Sequence, residues 1–226
     1  MATVAVVSGG LDSVTLAYSL AAAGHALDLI SFDYGQKHRR ELLYAEQTAE
    51  DLGASWTLID LVAAGISQVM SGSALTDASV DVPQGHYAAP TMQQTIVPNR
   101  NAIMLSIAYA RAVSSSATSV AFAVHGGDHP IYPDCRPGFV TAFVEMERQA
   151  TDSAIELLAP FIQMTKADIV GVGSSLKVPF DRTWSCYVGG ETHCGGCGTC
   201  VERREAFAIA GVADPTVYGR AVQGVR

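Results

Sequence analysis

Val7-Ser8-Gly9-Gly10-Leu11-Asp12-Ser13 is the stretch on which the fold turns. Thr3 to Val7, a run of small and β-branched residues, leads into it, and Leu11, Val14, Leu16, Ala17 and Leu20 follow at helical spacing until Gly24. Such a pattern predicts a strand, a tight turn and a helix. The two glycines permit positive φ and let a ligand approach bare N–H groups, at a helix amino end that favours negative charge. Ser8 and Ser13 add hydroxyl donors. Asp12 would repel a phosphate unless Mg²⁺ lies between them. Val7 to Ser13 therefore reads as a docking site for a diphosphate and its metal. The loop is neither a Walker A sequence nor a Gly-x-Gly-x-x-Gly fingerprint. The plainer alternative is a turn with an Asp or Ser helix cap.

Outward from the loop, strands and helices alternate. Leu27 to Phe32 reads as a second buried strand, His38 to Leu52 as a helix stopped by Gly53, and Trp56 to Ile59 as a third strand. Asn101 to Val113 returns to a helical pattern, followed by a strand from Ser119 to Val124 and a helix from Phe139 to Glu147. Ile155 to Leu158 is a short strand candidate, and Thr165 caps a helix from Lys166 to about Leu176. The alternation predicts an α/β fold, a doubly wound parallel sheet of Rossmann-like type, with ligands beyond the carboxyl ends of the strands. Residues 1–180 would form the nucleotide-binding unit and 181–226 a small zinc-binding subdomain ending in a helical segment. Ser67 to Gln94, rich in Ser, Gly, Asp, Pro and Gln, is expected to be a long surface excursion.

Composition limits the function. The 226 residues fit one domain of the usual ~100–200, with room for a small appendage. Fourteen Lys and Arg against 22 Asp and Glu give a net charge of −8, which argues against nucleic acid as the partner. No cationic leader precedes the first apolar run and no stretch reaches ~18 apolar residues, so a soluble, cytoplasmic chain with no membrane contact is expected.

Four of the five cysteines, Cys186, Cys194, Cys197 and Cys200, crowd near the end with Gly195, Gly196 and Gly198 between them. That spacing suits four thiolates around one ion in a reducing compartment. A closed set of four thiolates favours one structural Zn²⁺ per chain, with an iron–sulfur cluster as the competing occupant. His193 beside Cys194 reads as a polar loop residue. Cys135 stands alone and reads as a packing residue rather than a nucleophile.

The Ser-Gly-Gly-x-Asp-Ser loop resembles the pyrophosphatase loop of enzymes that cleave ATP to AMP and pyrophosphate. Together with the cysteine knuckle it resembles the 7-cyano-7-deazaguanine synthase family of queuosine biosynthesis. Further matches run in the family's order along the chain: Phe32-Asp33-Tyr34-Gly35-Gln36-Lys37-His38, Val97-Pro98-Asn99-Arg100-Asn101, Tyr132-Pro133-Asp134-Cys135-Arg136-Pro137, Met164 to Ile169, and Trp184-Ser185-Cys186-Tyr187. The resemblance implies the adenine nucleotide alpha hydrolase type of fold, a homodimer, and an ATP-dependent ligase acting on a small molecule. That ligase would convert 7-carboxy-7-deazaguanine and ammonia to the cyano base through adenylated carboxylate and amide intermediates. By the same resemblance, the loop would bind ATP and Mg²⁺, with Phe32 and Tyr34 on adenine. Asp12, Lys37, Arg100 and Lys166 would be catalytic, the three cations acting on phosphates. Asp128, Asp134, Arg136, Trp184 and Tyr187 would read the deazaguanine, with core packing as the alternative for Trp184 and an ordinary surface charge as that for each of Lys37, Arg100 and Lys166.

Two places depart from the family's usual pattern. Ala123 to Ile131 stands where an Asn-Ala-x-Asp-x-Ser-Gly type of run is usual, and Gly138 stands where Glu is usual. His125 and His129 read as exposed loop residues, with replacement of lost polar contacts as the alternative. A homologue serving DNA modification or phage defence fits these departures. Other readings of the chain are a pyrophosphatase acting on another carboxylate, amide or RNA, and a zinc-knuckle interaction module with a vestigial loop. An intact Asp12 and Ser13 argue against the last.

Overall fold

Among the described residues five parallel strands form one sheet: β1 (Ala2–Val6), β2 (Ala26–Asp33), β3 (Ser55–Asp60), β4 (Ser119–Ala121) and β5 (Glu156–Leu158), in the order β3-β2-β1-β4-β5. The computed structural model describes residues 1–87, 90–151 and 153–219. The end of the expected C-terminal segment, 220–226, lies outside the described residues. From β1 the chain winds outward to β3 and then returns to the other side of β1, so the strand order reverses between β1 and β4. Ligands of doubly wound sheets bind at that reversal.

Period-two alternation of β1 decides which helices pack where. Val4 joins Ile30, Phe32, Val120 and Phe122 under α3 (Arg100–Ser115) and α4 (Pro137–Thr151), which contribute Met104, Leu105, Ala108, Tyr109 and Phe143. Ala5 faces the other way with Leu29 and Ala121, beneath α1 (Leu11–Ala22), α5 (Lys166–Ser175) and α6 (Gly198–Ala210). Leu16, Ala17, Ile169, Val170 and Phe207 fill that side, and Phe180 meets Phe207 edge to face with centroids 4.9 Å apart. Helix α2 (Glu41–Leu52) lays Ala45 and Ala49 against the same side and stops, as expected, at left-handed Gly53. Thr165 caps α5 in a reciprocal box: its hydroxyl accepts from Asp168 N–H at 3.2 Å while its own N–H donates to Asp168 Oδ2 at 2.9 Å. Among the described residues no helix is long and apolar enough to cross a membrane.

The structure corrects several expectations. Helix α2 begins at Glu41, not His38, because residues 37–40 form successive turns in which Arg39, Glu41 and Leu42 bond three residues back. Strand β4 ends at Ala121, where the ladder to β1 and β5 ends. Ser67 to Gln94 lies at the surface over much of its described length, as expected, but is tied down to the core. Met70, Leu75, Tyr87 and Met92 are buried in the core, Ala74 N–H donates to the Gln94 carbonyl, and Gly85 N–H donates to that of Gly196. Only Gly9 of the two loop glycines uses positive φ, at 89°, whereas Gly10 has φ −76°.

Gly9 also approaches α2 so closely that an added Cβ would stand 1.9 Å from the Glu41 carbonyl oxygen. Strain at positive φ alone costs ~1–3 kcal/mol. Gly9→Ala, which adds a clash with rigid backbone, is expected to destabilise the chain by at least ~2 kcal/mol in urea unfolding, and a loss under ~0.5 kcal/mol would contradict the close approach.

Candidate active site

A cleft partly open to solvent lies beyond β1 and β4. Val7, Ser8, Gly10, Leu11, Asp12 and Ser13 form one wall, Phe32 and Tyr34 come from the end of β2, and Phe122, Val124, His125 and Asp128 follow β4. The loop is pre-set by its own hydroxyls. Ser8 N–H donates to Ser13 Oγ at 3.1 Å and Gly10 N–H to Ser8 Oγ at 3.2 Å. No side chain caps α1, so the first N–H groups of the helix are open to an anion. Gly9 does not line the cleft; it fixes the loop against α2.

Across from the loop, α5 and α6 supply a charged cluster. Lys166 Nζ lies 2.7 Å from Glu202 Oε2 and 3.3 Å from Asp12 Oδ2. Burial opposes its charge, but the carboxylates of Asp12, Glu202 and Asp128 outweigh burial and raise its pKa. Burial pushes the Glu202 carboxyl upward, with Lys166 opposing. His125 is buried rather than exposed: its Nδ1 accepts from Gly127 N–H at 3.1 Å, leaving Nε2 3.4 Å from Asp128 and 3.8 Å from Asp12. Tyr87 donates its hydroxyl to Asp128 at 2.8 Å. His129 is half-buried. Asp12 Oδ1 is buried and has no hydrogen-bond partner, which suits a carboxylate with a coordination position left for a cation.

A second group closes the cleft beyond Tyr34. Arg100, the first residue of α3, donates to the Tyr34 hydroxyl at 3.3 Å. Glu41 and His38, both buried, face the same cleft. Burial pushes the Glu41 carboxyl up to about 8 and the His38 imidazole down to about 3.

Not every expected residue reaches the cleft. Lys37 donates its ammonium to the Val80 carbonyl. Asp134 accepts from Asn101 N–H at 3.0 Å in the first turn of α3, and Arg136 donates to the His129 carbonyl at 2.8 Å. Gly138 is also outside it, and a Cβ there would meet nothing within 4 Å. Trp184 and Tyr187 do line it, but the indole is held by packing. It lies against His193 and Tyr44, with centroids 4.3 and 6.1 Å away, and donates Nε1–H to the Cys186 carbonyl. His193, in a loop as expected, is buried, and its Nε2 accepts from Ser185 N–H. Cys135 is buried at the cleft margin, and burial raises its thiol pKa. The sequence reading missed Glu41, Tyr87 and Glu202. Glu202 lies two positions past Cys200, where helical phase would have turned it toward α5.

The four sulfurs of Cys186, Cys194, Cys197 and Cys200 lie within 4.8 Å of one another, compatible with the ~3.8 Å edges of a tetrahedral site with ~2.3 Å Zn–S bonds. Cys194 N–H points at Cys186 Sγ, and the N–H groups of Gly196 and Cys197 at Cys194 Sγ, at 3.3–3.4 Å. Such donors stabilise thiolates, so the cluster fits a metal. Cys197 is the N-cap of α6 and Cys200 sits in its first turn.

The model of the queuosine biosynthesis protein QueC family matches residues 2–211. The chain belongs to that family. The 7-cyano-7-deazaguanine synthase of Rhizobium rhizogenes is 58% identical over 220 residues, which cover 96% of this chain and 92% of that protein. The synthase of the same name from Brucella ovis is 56% identical, with 96% and 94% covered. The chain is therefore a family enzyme, and the departures at His125 to Ile131 and Gly138 do not remove it from the family. Among solved structures, an NMN synthetase from Francisella tularensis shares the fold, with a TM-score of 0.51 and 16% identity over 80% of this chain and 63% of that one.

Two measurements follow from this geometry. Purified protein is expected to carry close to one tightly held metal per chain by elemental analysis, and Cys197→Ser to lose it together with much of its thermal stability. Retention of full metal content by that variant would contradict ligation. A carboxyl raised on folding binds its proton more tightly in the folded chain, so Glu41 costs stability as pH rises from 4.5 toward 8. His38 acts in the opposite window, losing stability as pH falls from 6.5 toward 3. Between pH 6.5 and 8, Glu41→Gln should therefore gain stability relative to the parent in unfolding titrations, and parallel curves would refute the burial of an ionisable acid.

Proposed function

We propose that the chain makes 7-cyano-7-deazaguanine from 7-carboxy-7-deazaguanine, ammonia and ATP, as the name of its curated relatives suggests for the product. The observation that carries the reading is the cleft itself, in which the open amino end of α1 faces Lys166 beside the unsatisfied Asp12 oxygen.

A carboxylate resists substitution because oxide is a poor leaving group. Transfer of AMP from ATP to that oxygen removes the obstacle, ammonia then gives the amide, and a second AMP transfer to the amide oxygen allows loss of AMP and formation of the nitrile. Ser8, Gly10, Ser13 and the first turn of α1 would hold the phosphates, and Lys166 would face the charge that develops on pyrophosphate. Mg²⁺ held by Asp12 would neutralise phosphate charge. Phe32 and Tyr34 would take adenine; Asp128, Tyr87 and Tyr187 would meet the deazapurine. Trp184 would serve as wall. Lys37, Asp134 and Arg136 stand outside the cleft and take no part in this reading. The cysteine cluster would hold one structural Zn²⁺, its closed donor set leaving no position for substrate. A homodimer in the cytoplasm completes the proposal, on the family resemblance.

Metal-loaded protein is expected to convert the carboxy base to the cyano base, identified by mass, with AMP and pyrophosphate formed in step with ammonia use. Lys166→Ala should lower kcat/KM by ~10²–10³, and Asp12→Ala should weaken Mg²⁺–ATP binding by at least ~10-fold. No nucleotide-dependent change in the carboxy base would end the proposal.

A further inference from the structure

Glu41 is a carboxyl without a cation. Its Oε1 accepts from Gln36 Nε2 at 3.1 Å and lies 3.5 Å from His38 Nε2, and among the described residues no Lys or Arg pairs with it. Arg100 on α3, the nearest positive charge to act on it, gives its guanidinium to Tyr34. His38 contacts Tyr187 with ring centroids 5.2 Å apart, and its Nδ1 is buried without a hydrogen-bond partner. Both side chains line the cleft and are more than nine-tenths buried. An unpaired buried carboxyl is costly, and in a cleft such a group marks a functional position.

We propose that Glu41 and His38 form the ammonium site of the cleft: the Glu41 carboxylate takes a proton from NH4⁺, and the ammonia released is held beside His38 Nδ1 to attack the activated carboxylate. The inference rests on the amination proposed above. The nitrogen lone pair forms the C–N bond as the C–O bond to AMP breaks, and the electron pair leaves with AMP. Of the four ammonium protons one goes to Glu41, two stay on the amide and the fourth leaves on the AMP phosphate. Gln36, His38, Tyr34 and Arg100 are the groups that face the carboxyl. The neighbouring positive charge of Arg100 favours the uncharged nitrogen once the proton has moved. Burial pushes the Glu41 carboxyl up to about 8, so the ionised form that accepts the proton grows as pH rises toward 8, and the acid formed returns the proton to solvent.

Three rates test the site on the full-length, metal-loaded protein: ATP–pyrophosphate exchange with the carboxy base and no ammonium, amide formation from ammonium, and hydroxamate formation from hydroxylamine. Hydroxylamine is uncharged at neutral pH and needs no deprotonation before attack. In Glu41→Gln, exchange and hydroxamate formation should stay within about threefold of the parent while kcat/KM for ammonium falls ~100-fold or more. Glu41→Asp should recover part of that loss. Undiminished use of ammonium by Glu41→Gln, or an equal fall in all three rates, overturns the site. If Glu41→Gln does not fold, Glu41→Asp decides by the same comparison, selective loss of ammonium use supporting the site and uniform loss refuting it. A parent that shows no exchange overturns the adenylation reading and the site with it, whereas exchange without any use of ammonium by the parent overturns the amination.

Discussion

Three parts of the molecule meet on the backbone of Gly9. Its positive φ turns the chain from β1 into α1, its Cα rests against the Glu41 carbonyl, and its own carbonyl accepts from Trp184 N–H at 2.9 Å. Each contact fixes a different wall of the cleft: the loop itself, the start of α2 with Glu41, and the segment that carries the first cysteine of the cluster. A side chain at this position would separate all three. The glycine therefore serves packing first. The open N–H groups of the anion site belong to the residues after it, so the loop can present bare backbone only because Gly9 lets the scaffold close behind it.

The electrostatics of the cleft are divided. On the α5 and α6 side, one ammonium is shared between Asp12 and Glu202, with Asp128 and His125 alongside, so the positive charge of Lys166 is largely neutralised at rest. A polyphosphate arriving there would have to displace the carboxylates or bring a cation for them. The orphaned Asp12 oxygen suits the second course. On the Tyr34 side the balance is reversed, because Arg100 stands near an imidazole that burial keeps neutral and an acid whose ionisation burial delays to about pH 8. One end of the cleft thus suits phosphate with metal, and the other a planar, sparsely charged group.

The sheet was legible because buried parallel strands are apolar on both faces and their helices carry a 3.6-residue period, a signal that Thr3 to Val7 and Leu11 to Leu20 state without ambiguity. The cysteine cluster was legible from spacing alone. The loop was legible in its residues but not in its division of labour, since Gly9 and Gly10 look alike in sequence and differ by the sign of φ. What escaped was long-range. His125 read as an exposed loop residue and His193 as a polar loop residue, yet both side chains are buried. Ser67 to Gln94 has the composition of a surface loop, but Met70, Leu75 and Met92 are too sparsely spaced to register as a periodic element, though they suffice to pin it to the core. Lys37 and Arg136 carry the right charge for phosphate, and the side-chain direction that takes them to backbone carbonyls elsewhere leaves no trace in composition.

The metal cluster and the cleft are interleaved along the chain, and this gives the cysteines a role beyond holding a loop closed. Cys186 lies between Ser185 and Tyr187, both on the cleft; Thr199 on the cleft lies between Cys197 and Cys200; Glu202 follows two residues later. Any movement of Cys186 would therefore carry Ser185 and Tyr187, its neighbours in the chain, with it. In α6 the first turn is fixed at Cys197 and Cys200, which sets the helical phase that delivers Glu202 to Lys166. On the same helix Arg203 is fully buried, bonded to Asp214, Thr183 and the Phe180 carbonyl, and so cannot rotate outward to relax a change in that phase. An ion at the cluster would therefore act on the chemistry through rotation of α6 and the Trp184 to Tyr187 segment, with no need to touch a substrate.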